Sequence, residues 1–196
     1  MLLPKRLWKR ATKEKVIYLT FDDGPIPLVT DFVLDEMAKI DGKATFFCVG
    51  ENIVNYPVVY ERILKEGHRS ANHTYNHLNG SRTTASDYFY NVGKSSLVLR
   101  DDFGGKELFR PPYGRLTSKQ FKLLKADYEV VMWSVLSGDF DKNLSKENCL
   151  KHTIRYSARG SIVVFHDSLK TIDKLSWVLP RYLNHFHNLG YRFECL

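Results

Sequence analysis

The run Val16-Ile17-Tyr18-Leu19-Thr20-Phe21-Asp22-Asp23-Gly24-Pro25 constrains the fold more than any other stretch. Residues 16–21 are continuous, apolar and rich in β-branched and aromatic side chains, which predicts a short buried strand. Gly24-Pro25 is a turn signal that stops it. Asp22 and Asp23 therefore stand at the carboxyl end of a buried strand, where α/β folds carry their chemistry. Two adjacent carboxylates repel unless a cation or a proton separates them. A loop carboxylate capping the next helix would explain the same residues, so the rest of the chain has to decide.

The following pattern alternates. Val29, Phe32, Val33, Met37 and Ile40 recur at helical spacing, and residues 46–49 read as a second strand. Pro57 opens a helix that Gly67 closes. Residues 68–72 form a weaker strand leading into His73-Thr74-Tyr75-Asn76-His77, and a helix is expected over 85–99. A short strand at 108–110 breaks on Pro111-Pro112-Tyr113-Gly114, and Thr117 caps a helix. Strands at 129–135 and 161–165, a helix at 145–157 and a last strand at 191–196 complete the pattern. Between these lies a helix at 177–189, with Pro180 tolerable only in its first turn. Seven strands alternating with helices or long connections predict a parallel sheet or an incomplete barrel. One catalytic domain over 16–196 follows a basic arm over 1–15. The 196 residues are enough to bury a core.

The net charge of +7 is concentrated in that arm, in Lys5, Arg6, Lys9, Arg10, Lys13 and Lys15. Leu2, Leu3, Leu7 and Trp8 are interleaved with the charges, a pattern that suits an anionic membrane face or nucleic acid. A solvated tail is the simpler account and is the expectation here. Contact with a membrane surface is not favoured, no nucleic-acid partner is expected, and the protein is expected to be a monomer. No apolar segment follows the early charges as a secretory signal requires. A cytoplasmic protein is expected if the sequence is full length. Cys48, Cys149 and Cys195 are scattered and odd in number, which argues against a disulfide framework or a cysteine metal site.

His73 and His77 are four apart, which on a helical turn puts both rings on one face. The glutamate of the HExxH motif is absent. With one aspartate of the Asp22-Asp23 pair they make two histidines and a carboxylate, a donor set that leaves coordination positions open. The other aspartate remains to take a proton. Arg110-Pro111-Pro112-Tyr113-Gly114 is either a stiff turn or a device that pairs Arg110 with a carboxylate and aims a backbone N–H at an oxyanion. His166 ends a strand on the same rim. His68, His152, His185 and His187 are read as structural or surface residues.

These motifs resemble the polysaccharide deacetylases of the NodB-homology type, carbohydrate esterase family 4. Thr20-Phe21-Asp22-Asp23-Gly24-Pro25, His73 to His77 and Arg110 to Gly114 are similar to that family's first three motifs and occur in its order. The resemblance implies a distorted (β/α) barrel and a divalent metal, usually zinc, with cobalt or nickel as substitutes. It implies metal binding by Asp23, His73 and His77, with Asp22 as general base held by Arg110. The N–H of Tyr113 would help bind the oxyanion, and His166 would be the general acid, oriented by Asp139. Two positions depart from the pattern. Trp133-Ser134-Val135-Leu136-Ser137-Gly138-Asp139-Phe140 has Leu136 at an acidic position and Phe140 where tryptophan is usual. Val164 replaces a leucine in the wall expected to hold the acetyl methyl.

The expected reaction is therefore hydrolysis of an N-acetyl group on an N-acetylated glycan. Chitin oligomers, peptidoglycan, poly-N-acetylglucosamine and a lipid-linked sugar all fit. An O-acetyl esterase is the alternative. A non-haem iron oxygenase and a silent carbohydrate- or membrane-binding module rank lower.

Overall fold

Parity along the strands decides which residues meet. The structure, a computed structural model, describes residues 6–196, so Leu2, Leu3 and Lys5 of the basic arm lie outside the described residues. In β1 (Val16–Asp22), Ile17, Leu19 and Phe21 point into a core shared with the surrounding helices. Tyr18, Thr20 and Asp22 point to the other, concave face. In β2 (Thr45–Cys48), Phe46 and Cys48 join the helix-facing core and Phe47 the concave face. In β7 (Ile162–His166), Val163 and Phe165 face outward while Ile162, Val164 and His166 face inward. The two-residue period thus delivers a carboxylate and an imidazole to one concave surface.

The remaining strands are β3 (Arg69–Asn72), β4 (Glu107–Phe109), β5 (Tyr128–Val130), β6 (Val135–Leu136) and β8 (Arg192–Phe193). Their order is β5-β4-β3-β2-β1-β7-β6, with β8 beside the start of β1. Every strand pairing is parallel. All the carboxyl ends therefore reach one rim. The sheet curls into a half-barrel, the distorted barrel expected.

Helices α1 (Val29–Ala38), α3 (Pro57–Lys65), α4 (Ala85–Ser96), α5 (Ser118–Leu124), α6 (Lys146–Tyr156) and α7 (Ile172–Asn188) cover the convex side. Thr84, Thr117 and Ser145 each accept a backbone N–H as N-caps. A further short helix, α2 (Gly50–Asn55), was not expected, because its six residues are too few to show a period. Among the described residues no helix is long and apolar enough to cross a membrane.

Three expectations need correction. The strand expected over 129–135 is two strands at opposite edges of the sheet, because the chain crosses the open seam between them. Val131 N–H donates to Phe109 O on one edge and Ser134 N–H to Ile162 O on the other. Next, the arm is no solvated tail over residues 7–10. Leu7 pairs with Val131 and Lys9 with Ser161, closing part of that seam. Leu7 N–H donates to Val130 O at 2.9 Å, and Met132 N–H donates to Leu7 O at 2.7 Å. At Gly160 a Cβ would lie 1.9 Å from Arg10 O, so only glycine lets the arm pass. Finally, α7 starts at Ile172, which puts Pro180 in its interior. An interior proline costs about 3 kcal/mol. Leu175, Val178, Leu179, Tyr182, Leu183 and Phe186 are buried on that helix, and each contributes about 1.5–3 kcal/mol, so packing outweighs the penalty.

Candidate active site

Asp22 and His166 are register partners on adjacent strands. Asp22 Oδ1 accepts a hydrogen bond from Arg110 Nη1 at 2.6 Å, and Thr20 Oγ1 accepts from the same nitrogen at 2.7 Å. Arg110 Nη2 donates to Met132 O at 2.9 Å, and its guanidinium lies 4.0 Å from the Phe47 ring centre. Arg110 is fully buried. Burial drags its pKa below the ordinary value, against the pull of Asp22. With Oδ1 occupied, Asp22 Oδ2 faces the site, 3.9 Å from His73 Nε2.

His166 is held as tightly. Its Nδ1 lies 2.8 Å from Asp139 Oδ1, and its backbone N–H donates to Asp139 Oδ2 at 2.7 Å. A carboxylate can only accept, so Nδ1 carries a proton and Nε2 is the atom left to act. Burial alone would lower this imidazole. The charge and hydrogen bond of Asp139, helped by Asp22 and Asp23, outweigh it and raise the pKa to about 9. Phe140 sets its ring edge-on to His166, with centroids 5.2 Å apart. Val164 is buried on the same concave parity as His166.

The other residues come from loops. Asp23 follows β1 with φ 86°, in the left-handed region. His73 and His77 do not lie on the helical turn expected. They sit on a loop after β3, with Thr74 at φ 65° and His77 at φ 55°. Side chains shape that loop. Asn72 Oδ1 accepts the Thr74 N–H, and Asn91 Oδ1 accepts the N–H groups of Tyr75 and Asn76. The result still brings the rings together, 5.1 Å between centroids. Asp23 Oδ1 lies 3.1 Å from His77 Nε2 and 3.8 Å from His73 Nε2. Tyr113, at φ 60°, lies in a 3₁₀ turn over Pro112–Gly114, and its ring meets His77 edge-on at 4.8 Å. Gly114 and Arg115 N–H groups close this turn on Pro111 O and Pro112 O.

The donor chemistry at Asp23, His73 and His77 fits a cation. Nδ1 of His73 is 2.7 Å from Arg110 O. A carbonyl only accepts, so Nδ1 carries the proton and Nε2 presents a lone pair. Burial pushes His73 down to about 4 and keeps it neutral. Asp23 Oδ1 is buried and receives no hydrogen bond. The His73 lone pair therefore faces the Asp23 carboxylate, and the three candidate ligand atoms of Asp23, His73 and His77 lie within 4.8 Å of one another. A buried acceptor without a donor costs free energy that a bound cation removes.

A model of the polysaccharide deacetylase family matches residues 9–131. The chain belongs to this family. It is 33% identical to a peptidoglycan-N-acetylglucosamine deacetylase of Bacillus cereus over 98% of this chain and 95% of that protein. It is 33% identical to a chitooligosaccharide deacetylase of a Bradyrhizobium strain over 90% of this chain and 88% of that one. A solved peptidoglycan N-acetylglucosamine deacetylase superposes with a TM-score of 0.86 at 29% identity, covering 98% of this chain and 91% of that structure.

Sequence reading of this polysaccharide deacetylase missed the residues that support the site. They are Thr20, Asn52, Asn72, Asn91 and Asp167, all polar and none with a revealing spacing. Position at a strand end was the one signal available for Asn72 and Asp167. Asp167 is wholly buried, and burial, followed by the charge of Asp23, pushes its carboxyl up to about 8 against the Thr30 hydrogen bond. His68 is buried and accepts the Ala44 N–H at Nδ1, while His152, His185 and His187 are exposed on α6 and α7.

Proposed function

We propose that the protein removes acetyl groups from the N-acetylated sugars of a glycan by hydrolysis. One observation carries this reading. A carboxylate held by arginine and an imidazole held by carboxylate face each other as register partners, beside three converging metal donors. Asp23, His73 and His77 would hold the divalent cation, with zinc the best match to two imidazoles and a carboxylate. That cation supplies Lewis acidity toward the acetyl carbonyl and lowers the pKa of water.

The chain's own groups do the rest. Asp22 Oδ2 takes the proton of the attacking water, since Oδ1 is committed to Arg110. The left-handed turn at Tyr113 offers its N–H to the developing oxyanion. His166 Nε2 gives its proton to the departing nitrogen, and Asp139 keeps the imidazolium ready. Acetate and an amine result. A strongly held acid favours an amide substrate, because an amine leaves poorly without a proton and an ester alkoxide needs less help. It also favours hydrolysis over the oxygenase reading, since oxygen activation needs no such acid.

Relatives named for peptidoglycan N-acetylglucosamine and for chitooligosaccharides support an N-acetylglucosamine glycan as substrate. The test is acetate release from chitooligosaccharides and from peptidoglycan fragments with added zinc. Acetate from either class supports the reading. Zinc-loaded protein that releases none from both, yet cleaves O-acetyl esters, makes it an esterase.

A further inference from the structure

A non-glycine residue in the left-handed region is strained and persists only where its surroundings hold it. Asp23, at φ 86°, is such a residue. One residue, Asp167, holds both peptide groups that flank it, the first through its backbone and the second through its side chain. The Asp167 N–H donates to Asp22 O at 3.0 Å, which fixes the 22–23 peptide. Asp167 Oδ1 accepts the Gly24 N–H at 3.0 Å, which fixes the 23–24 peptide. Asp167 Oδ2 and the Thr30 hydroxyl share a hydrogen bond of 2.6 Å, and Thr30 Oγ1 accepts the Ile26 N–H at 2.8 Å. The same carboxyl group thereby fastens the turn two residues further on.

Space tells the same story. A Cβ built on Gly24 would lie 2.0 Å from Asp167 Oδ2, so the Asp167 side chain fills the room the glycine leaves. From the opposite side Asn52 Nδ2 donates to Asp23 O at 2.8 Å, and Val49 N–H donates to Gly24 O at 2.9 Å. Asp23 is thus clamped between the residue after His166 and the start of α2.

We propose that Asp167 is the positioning residue of the cation site, holding the left-handed turn that presents Asp23 Oδ1 to His73 and His77. It touches neither substrate nor reacting atoms. The proposal rests on the reading of Asp23, His73 and His77 as cation ligands. Groups that orient metal ligands from behind typically change affinity by about 10–100-fold when lost.

The experiment measures the zinc dissociation constant of the full chain by competition with a chromophoric chelator, alongside thermal unfolding. Asp167→Ala removes the Gly24 acceptor, and Thr30→Val, at a separate position, removes the hydroxyl between Oδ2 and Ile26. Both are expected to weaken zinc binding about tenfold or more. Asp167→Asn keeps an acceptor for Gly24 and can donate to Thr30 Oγ1, so it is expected to restore affinity to within about threefold of the parent, inside the range of a retained support. Val178→Ala, on the buried face of α7, is expected to lower the melting temperature while leaving zinc affinity unchanged. His77→Ala tests the site itself. If His77→Ala weakens binding while Asp167→Ala and Thr30→Val do not, the positioning role is wrong and the ligand set stands. The role is equally wrong if Asp167→Asn is as weak as Asp167→Ala. If His77→Ala leaves affinity unmoved, the ligand set is wrong and the role goes with it.

Discussion

Asp22 and His166 end adjacent strands and face each other in register, whereas Asp23, His77 and Tyr113 stand on loops at φ 86°, 55° and 60°. The strand half is placed by ladder hydrogen bonds that the sheet makes in any case. The loop half adopts backbone that L-residues disfavour, so side chains from elsewhere must hold it. Asn72 and Asn91 shape the histidine loop, while Asn52 and Asp167 shape the aspartate turn. The contrast separates two tasks. Under the proposed function, proton transfer would fall to the rigid half and cation binding to the half that depends on its supports.

Asp22→Asn breaks the comparison most sharply. Turnover is expected to fall about 10²–10⁴-fold, the range of a lost general base, with zinc retained. Asp23→Asn, His73→Ala and His77→Ala are each expected to lose zinc affinity, because each removes one of three protein ligands. Metal analysis of the four variants decides. Zinc lost from Asp22→Asn and kept by Asp23→Asn would exchange the two roles.

Arg110→Met tests how much of the fold leans on the rigid half. It leaves Asp22 buried without its partner, and breaking such a pair costs about 3–5 kcal/mol. Urea unfolding should show that loss. A change below about 1 kcal/mol, the range of an exposed pair, would mean that water enters and solvates Asp22.

The acid sharpens the comparison through pH. His166 is raised to about 9 in the fold, above its ordinary value of about 6.5. Asp139 is the leading cause of the rise, so the alkaline limb of kcat/KM should lie above the ordinary histidine value. Asp139→Asn should move that limb toward acid by on the order of one unit. The acid limb should move less, and a His166→Ala control identifies the limb. Linkage gives the matching stability effect. The contribution of the raised histidine is complete below about 6.5 and fades as pH rises through 9, and Asp139→Asn should make that fade smaller and end it at lower pH. A fixed alkaline limb would point to another partner for His166.

The smallest effect belongs to the seam, whose Leu7 side chain touches neither half. Leu7 is half-buried against Val131 and Ile162, so Leu7→Ala should cost about 1 kcal/mol, part of a full side chain's burial. Zinc affinity and turnover on soluble oligosaccharides should stay unchanged. No stability loss in thermal unfolding would return the arm to the solvated tail first expected.

Much of the site was legible because its chemistry lies in short motifs. The carboxylates follow an unmistakable buried strand, the histidines keep their spacing, and Arg110 precedes a proline turn. The reading of shape was weaker. The spacing of His73 and His77 suggested a helical turn, but a loop bent by Asn72 and Asn91 achieves the same meeting of rings. Residues 129–135 look like one strand because β propensity does not report which edge a residue pairs with. Pro180 argued for a later start to α7, and the buried face of that helix overrode it.

Local sequence determined which groups this protein brings to its chemistry and, through the two-residue period, which strand side chains face the concave surface. Tertiary structure decided who holds them. Asp167 meets Gly24 across 143 positions and Thr30 across 137, and Arg110 meets Asp22 across 88. No local pattern encodes such pairs. They exist because a curled parallel sheet brings all its carboxyl ends to one rim, where polar groups cut off from water must find partners in one another.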